Sequence, residues 1–167
     1  GKHTNLQDYV NLDKAISDVL LNLRVRVNES KAEINYNKLP NIKTNKVLIG
    51  QLFQNLISNG IKFKNNEIAP IVQIKCTNLP STWQFEVKDN GIGIDEKNRE
   101  KVYRIFTRLN READYGRGSG AGLSFVKKVL EIYDCKLTFS SEVGVGTTFY
   151  FSLPVAEPDQ QPERNVS

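Results

Sequence analysis

The residue order predicts an α/β sandwich, a mixed β-sheet covered by helices on one face. Three observations carry this. Helical periodicity appears in three separate segments, strand patterns occur as pairs joined by turn residues, and the two kinds of pattern are interleaved along the chain.

From Asn11 to about Asn28 the apolar residues Leu12, Ile16, Val19, Leu20 and Leu23 recur at helical spacing. Ala32 to Tyr36 alternates as a strand does, and Pro40-Asn41 marks a loop. Lys46 to Lys64 reads as a long helix that stops before Asn65-Asn66. Ile71 to Thr77 and Thr82 to Lys88 read as paired strands, with Asn78-Leu79-Pro80-Ser81 as their turn. Asp89 to Gly93 is a glycine-rich loop, and Asp95 is placed to cap a short helix toward Tyr103. Charges and glycines dominate 107 to 120, which reads as a mobile loop. Ala121 to Tyr133 is amphipathic, with Leu123, Val126, Leu130 and Tyr133 on one stripe. Lys136 to Ser141 and Thr147 to Leu153 form a closing hairpin around Gly144 and Gly146. Residues 1–156 are expected to make one domain, and 157–167, poor in apolar groups, a disordered tail or linker.

Composition narrows the classes. With 167 residues, 39% of them hydrophobic, the chain can bury one sizeable core. No apolar run approaches the roughly 20 residues that span a bilayer, and Gly1 to Asn11 has no signal-like apolar stretch. Cys76 and Cys135 are read as reduced structural thiols, and with His3 as the one histidine a zinc site is not expected. Between Arg99 and Arg117 six basic residues face three acids, so that segment holds most of the net +4 charge. Such a segment is either an anion-attracting patch or a solvated face.

Four elements suggest chemistry. In the long helix Leu48, Leu52 and Leu56 define an apolar arc, and Asn55 and Asn59 are expected on its interior side, with Lys62 near Asn55. A buried amide lacking a partner costs about 1–3 kcal/mol. A neighbouring loop would satisfy it, and so would a hydrated Mg²⁺ with phosphate oxygens. Asp89-Asn-Gly91-Ile-Gly93-Ile94 places a carboxylate at a strand end beside a tight turn. A carboxylate accepts amine protons, as from the exocyclic group of adenine. Gly116-Arg-Gly118-Ser-Gly120-Ala-Gly122-Leu123 opens a helix, where backbone N–H groups suit an anion. Gly144-Val-Gly146-Thr147-Thr148-Phe149 is by itself only a hairpin turn.

In this order the segments resemble the catalytic ATP-binding domain of sensor histidine kinases, within the gyrase, Hsp90, histidine kinase and MutL superfamily. Asn55 to Phe63 looks like the N box, Asp89 to Ile94 the first glycine box, and Arg104 to Leu109 the F box. Gly118 to Leu123 looks like the second glycine box. The stretches Leu52 to Phe63 and Ile105 to Glu112 are similar to phytochrome-type kinases. The resemblance covers about Tyr9 to Pro154 and implies the Bergerat sandwich.

It also implies roles. Asn59 would ligate Mg²⁺ and Asn55 would assist at the metal and phosphates. Lys62 and Arg108 would reach phosphates, and Phe63 would line the nucleotide. Asp89 would bind the adenine amino group, with Gly91 and Gly93 shaping its pocket. Gly118, Gly120 and Gly122 would form a lid and helix start over the phosphates. Ile94, Phe106, Leu123 and Thr148 stand at matching positions and complete the implied cofactor contacts. Two departures stand out: Ala121 replaces a usual leucine, and Asp134-Cys135 replaces a glycine pair.

The implied activity is transfer of the ATP γ-phosphoryl to a histidine on a separate dimerisation domain, serving a response-regulator receiver domain in the cytoplasm. Neither nucleic acid nor direct membrane contact is implied. His3 lacks the acceptor's sequence context, so the chain by itself should bind ATP with little activity. A gyrase-like or Hsp90-like ATPase is disfavoured because such modules carry a water-activating glutamate where Asn55 stands. A degenerate nucleotide-binding signalling module stays open. If 107–120 is a phosphate lid, a triphosphate analogue should slow hydrogen exchange there more than ADP does. Equally fast exchange in apo, ADP-bound and analogue-bound protein would leave those glycines as a linker.

Overall fold

The computed structural model describes residues 8–107 and 119–155. A five-stranded sheet forms its spine. β2 (Glu33–Tyr36), β4 (Ile71–Asn78), β5 (Thr82–Asp89), β6 (Thr138–Glu142) and β7 (Gly146–Pro154) lie in the order β2-β4-β5-β7-β6. Only β2 and β4 run parallel; the other pairs are antiparallel, so the sheet is mixed as expected. A second ribbon pairs β1 (Asp8–Asn11) with β3 (Asn41–Thr44).

Strand alternation decides which side is covered. Val72 and Ile74 of β4, Phe85 and Val87 of β5, and Thr147, Phe149, Phe151 and Leu153 of β7 are all buried. Lys75, Lys88 and Ser140, on the other parity, are exposed. Against the buried face packs α3 (Lys46–Lys62), flanked by α1 (Leu12–Asn22) and α5 (Ser119–Ile132). The layers join at three rings. Phe53 of α3 meets Phe85 edge-on at 5.8 Å, and Phe85 stacks on Phe151 at 5.1 Å. α2 (Arg24–Ser30) and α4 (Glu96–Thr107) complete the helices among the described residues.

Several boundaries differ from the sequence reading. The expected helix from Asn11 to Asn28 bends at Leu23 (φ −98°, ψ 7°), which turns into the core, and continues as α2. The loop expected at Pro40-Asn41 gives way at once to β3, and β1 had no sequence signal. Four-residue strands show too little alternation, and their pairing, Asp8 with Thr44, is remote in sequence. α4 runs on to Thr107, and Asp95 caps it by accepting the Asn98 N–H at 2.8 Å. α5 begins at Ser119, two residues before Ala121. The remainder of the loop expected at 107–120 and the expected tail lie outside the described residues.

Two anchors hold the helix layer. The Asn45 side chain accepts the Leu48 N–H at 2.9 Å and caps α3. Tyr133, just past α5, has its hydroxyl 2.8 Å from Thr44 Oγ1 and accepts the Asn45 N–H at 3.1 Å. The departure at Asp134 is accommodated there. Asp134 takes the left-handed conformation, φ +56°, in which Asp is among the tolerated non-glycine residues. Tyr133→Phe should therefore cost about 1 kcal/mol in urea unfolding, the net worth of one such hydroxyl. An unchanged midpoint would show that α5 and α3 hold without this anchor.

Candidate functional site

The apolar stripe of α3 comprises Ile49, Leu52, Phe53, Leu56, Ile57, Gly60 and Ile61. This stripe is broader than the arc expected from Leu48, Leu52 and Leu56, and it is centred further round the helix; Leu48 is only partly buried. Asn55 and Asn59 consequently lie on the flank, half-buried, rather than toward the interior. That flank lines a cleft of about 440 Å³ formed by Arg26, Asn55, Ser58, Asn59, Ile61, Lys62 and Gly122. Gly122, in the first turns of α5, forms the opposite wall. A Cβ there would lie 3.3 Å from Asn55 Oδ1. The Asn55 amide nitrogen donates back to the Gln51 carbonyl at 3.0 Å, leaving Oδ1 on the cleft side. The Asn59 amide makes no hydrogen bond among the described residues.

At the far end of α3 the sheet supplies a carboxylate. Asp89 is the last residue of β5 and continues the inward parity of Phe85 and Val87, so it faces α3. It fits because α3 has Gly60 opposite. A Cβ on Gly60 would lie 2.7 Å from Val72 Cγ2 and 3.3 Å from Asp89 Cβ. Asp89 Oδ1 accepts the Gly91 N–H at 2.9 Å and the Thr147 N–H at 3.2 Å. Oδ2 has no such partner among the described residues.

The turn after Asp89 is held on every side. The Ile92 N–H donates to the Phe63 carbonyl at 3.0 Å, and a Cβ on Gly91 would run into that same oxygen. Gly93 has φ +79°, and the Glu142 carbonyl occupies the place its Cβ would take. The Asn90 side chain accepts the Ile71 N–H at 2.8 Å and donates to the Ala69 carbonyl at 3.1 Å, tying the turn to the start of β4. Ser141 Oγ accepts the Ile94 N–H at 2.8 Å, donates to the Gly146 carbonyl and sits 2.8 Å from Thr147 Oγ1.

The structure thus brings Asn55, Asn59, Lys62 and Gly122 into one cleft, and gathers Asp89, Gly91, Gly93 and Ile94 at the sheet end beside Phe63. Phe63 is 37% exposed, with the Lys62 ammonium 5.4 Å from its ring centre. Leu123 is buried in the core beside Gly122. Thr148 is on the other parity of β7: it pairs with Lys88 and Ser140 on the uncovered face, and the neighbouring Thr147 is the threonine at Asp89. Phe106 falls in the last turn of α4 and Gly120 in the first turn of α5, whereas Arg108 and Gly118 lie outside the described residues. Sequence reasoning passed over Arg26, Ser58, Gly60, Asn90 and Thr147. Gly60 alone left a signal, since a glycine inside a helix costs about 1 kcal/mol relative to alanine.

Of the ionisable groups at the site, Asp89 is displaced from its ordinary range. Burial pushes its carboxyl upward, against the Gly91 and Thr147 N–H groups, which pull it down. Burial also raises both thiols, Cys76 to about 11; neither cysteine is in a disulfide.

The fold and the cleft define a two-layer α/β domain with a site at one end of its sheet. The family described as histidine kinase-, DNA gyrase B- and HSP90-like ATPases matches residues 44–157, and the chain belongs to it. Nucleotide binding is the chemistry that family implies. Cyanobacterial phytochrome A from Nostoc sp. is 39% identical over 150 residues, 90% of this chain and 19% of that protein. Phytochrome-like protein Cph1 from Synechocystis sp. is 37% identical over 147 residues, 88% of this chain and 19% of that protein. The chain therefore spans about a fifth of the length of these relatives. Among solved structures, the nucleotide-free catalytic domain of histidine kinase ThkA superposes with a TM-score of 0.72 at 21% identity, covering 93% of this chain and 99% of that one. The chain is a domain resembling histidine kinase catalytic domains.

The upward shift of Asp89 has a sign that can be measured. A carboxyl raised in the folded state favours folding below the unfolded aspartate value of about 3.9, and this contribution is lost as pH rises through the folded value. Asp89→Asn keeps the acceptor oxygen for Gly91 and Thr147 but carries no charge. At pH 7 it should resist urea better than the parent, with the gap closing as the pH falls toward 4. A parent more stable than the variant at pH 7 would contradict this.

Proposed function

We propose that this chain is the ATP-binding catalytic part of a sensor histidine kinase. Asp89 takes the adenine amino group, and the flank of α3 takes the phosphates. The observation that carries this reading is the state of the Asp89 carboxylate. It faces inward beneath Gly60, and one oxygen is committed to the Gly91 and Thr147 N–H groups. The other oxygen is left to accept from an amine. A guanine, with a carbonyl at the corresponding edge, offers a second acceptor instead of a donor.

The residues fit a Mg²⁺–nucleotide. Amide oxygens are hard ligands of the kind Mg²⁺ accepts beside water and phosphate, and Asn55 Oδ1 and the unengaged Asn59 amide stand on the same cleft wall. Bound there, the ion would neutralise phosphate charge. Lys62 has the reach to add a cation, and Thr147 replaces Thr148 in the nucleotide set because it is the threonine bonded to the Asp89 carboxylate. Arg108, Phe106, Gly118 and Gly120 keep the roles the family resemblance implies. Asn55 cannot act as a general base, which favours transfer to an acceptor over hydrolysis by an activated water. The acceptor is a histidine on a dimerisation domain of the same protein, and a receiver domain takes the phosphoryl group from it. Catalysis here is positioning and charge neutralisation. No helix among the described residues is long and apolar enough to cross a membrane, and we place the domain in the cytoplasm.

Calorimetry with ATP and GTP tests the reading. The parent should prefer ATP, and Asp89→Ala should lose most of that preference. Asn59→Ala should lower affinity for Mg²⁺-ATP more than for metal-free ATP, while alanine keeps the helix. Equal binding of ATP and GTP by the parent would overturn the Asp89 assignment. An equal gain from Mg²⁺ in parent and Asn59→Ala would remove Asn59 from the metal site.

A further inference from the structure

The cleft wall contains a cation that no sequence motif supplied. α1 and α2 run alongside α3 in the same direction: Asn22 Nδ2 donates to Gln54 Oε1 at 3.4 Å, and Arg26 Nη1 donates to Ser58 Oγ at 2.6 Å. Both contacts join residues 32 apart in sequence, so α2 keeps the register of α1 past the bend at Leu23. That bend carries the Arg26 guanidinium to the cleft lined by Asn55, Asn59 and Lys62. Among the described residues no acidic side chain lines this cleft.

The bond to Ser58 uses one of the five guanidinium N–H donors. Among the described residues no carboxylate pairs with Arg26, and Arg26 and Lys62 line the same cleft. The level along α3 is also informative. Gly60, opposite Asp89, marks the base end, and Ser58 stands about 3 Å nearer the start of the helix at 1.5 Å per residue, between the levels of Asn59 and Asn55. Arg26 is therefore at the height where the α3 flank presents its amides, not at the base.

We infer that Arg26, held by Ser58, is a further contact for the phosphate chain of the bound nucleotide. This rests on the reading of the cleft given under Proposed function. Arg26 would add charge-assisted hydrogen bonds from α2, a second element beyond α3 itself, and would make phosphate binding depend on how α2 sits against α3.

The test measures ATP and adenosine affinities by competition against a fluorescent adenine nucleotide, for the parent, Arg26→Gln, Arg26→Lys and Ser58→Ala. Arg26→Gln should weaken ATP about tenfold, the scale of one charge-assisted contact, and leave adenosine unchanged. Its ATP affinity should also fall less steeply with added salt. Arg26→Lys, which keeps the charge and loses the planar fork, should fall between parent and Arg26→Gln. Ser58→Ala should cost ATP about two- to threefold by freeing the guanidinium. If ATP and adenosine weaken by the same factor, or if neither changes, Arg26 merely covers α3 and the inference is overturned while the cleft reading stands. If the parent binds neither ligand, the cleft reading fails and this inference with it.

Discussion

The contact on which the rest of the structure depends is the seating of Phe53 against the stacked pair Phe85 and Phe151. These rings are fully or almost fully buried and belong to α3, to the central strand β5 and to its neighbour β7. Their packing fixes the rotation of α3 about its axis. With the stripe from Ile49 to Ile61 sealed on the sheet, the adjoining flank with Asn55, Asn59 and Lys62 has one place to go, the cleft facing Gly122. A helix rotated by one residue would send the amides into the core or out to solvent. Core packing and site geometry are thus a single constraint.

The same logic operates in the sheet. Because side chains alternate, the parity that buries Phe85 and Val87 also sends Asp89 inward, at the point where the hydrophobic row runs out. The chain makes room by omitting a side chain at Gly60 and partly offsets the desolvation with two backbone N–H groups. Those N–H groups come from the turn after β5 and from the first residues of β7. The carboxylate is therefore held by segments far apart in sequence, and the turn itself is braced by Phe63, Ser141 and Asn90.

Much of this was legible in the sequence, and the exceptions have physical causes. The α/β class, the long helix, the hairpins and the motif segments around Asn55, Asp89 and Gly122 all showed in local periodicity and glycine placement. What failed was non-local or depended on one residue of phase. β1 and β3 pair across thirty-odd residues with no local pattern strong enough to announce them. The bend at Leu23 has no glycine or proline to mark it, because its cause is burial of that leucine. Thr148, expected at the cofactor from the sequence, stands a single step from Thr147, and in a strand a single step changes faces. Arg26 was out of reach for a related reason: it belongs to no glycine or amide motif and meets the cleft only through the way α2 lies on α3.

The Tyr133 anchor also makes α5 a lever. Its C-terminal end is pinned at the Thr44-Asn45 corner, where α3 begins, and its N-terminal end at Ser119 adjoins the glycine run. Fourteen residues of helix span about 21 Å, so a tilt of about 3° at the Tyr133 end would correspond to about 1 Å at the other. Gly122 lies toward the far end of that arm and Tyr133 at its base. Packing at the Thr44-Asn45 corner therefore helps set where Gly122 stands against Asn55.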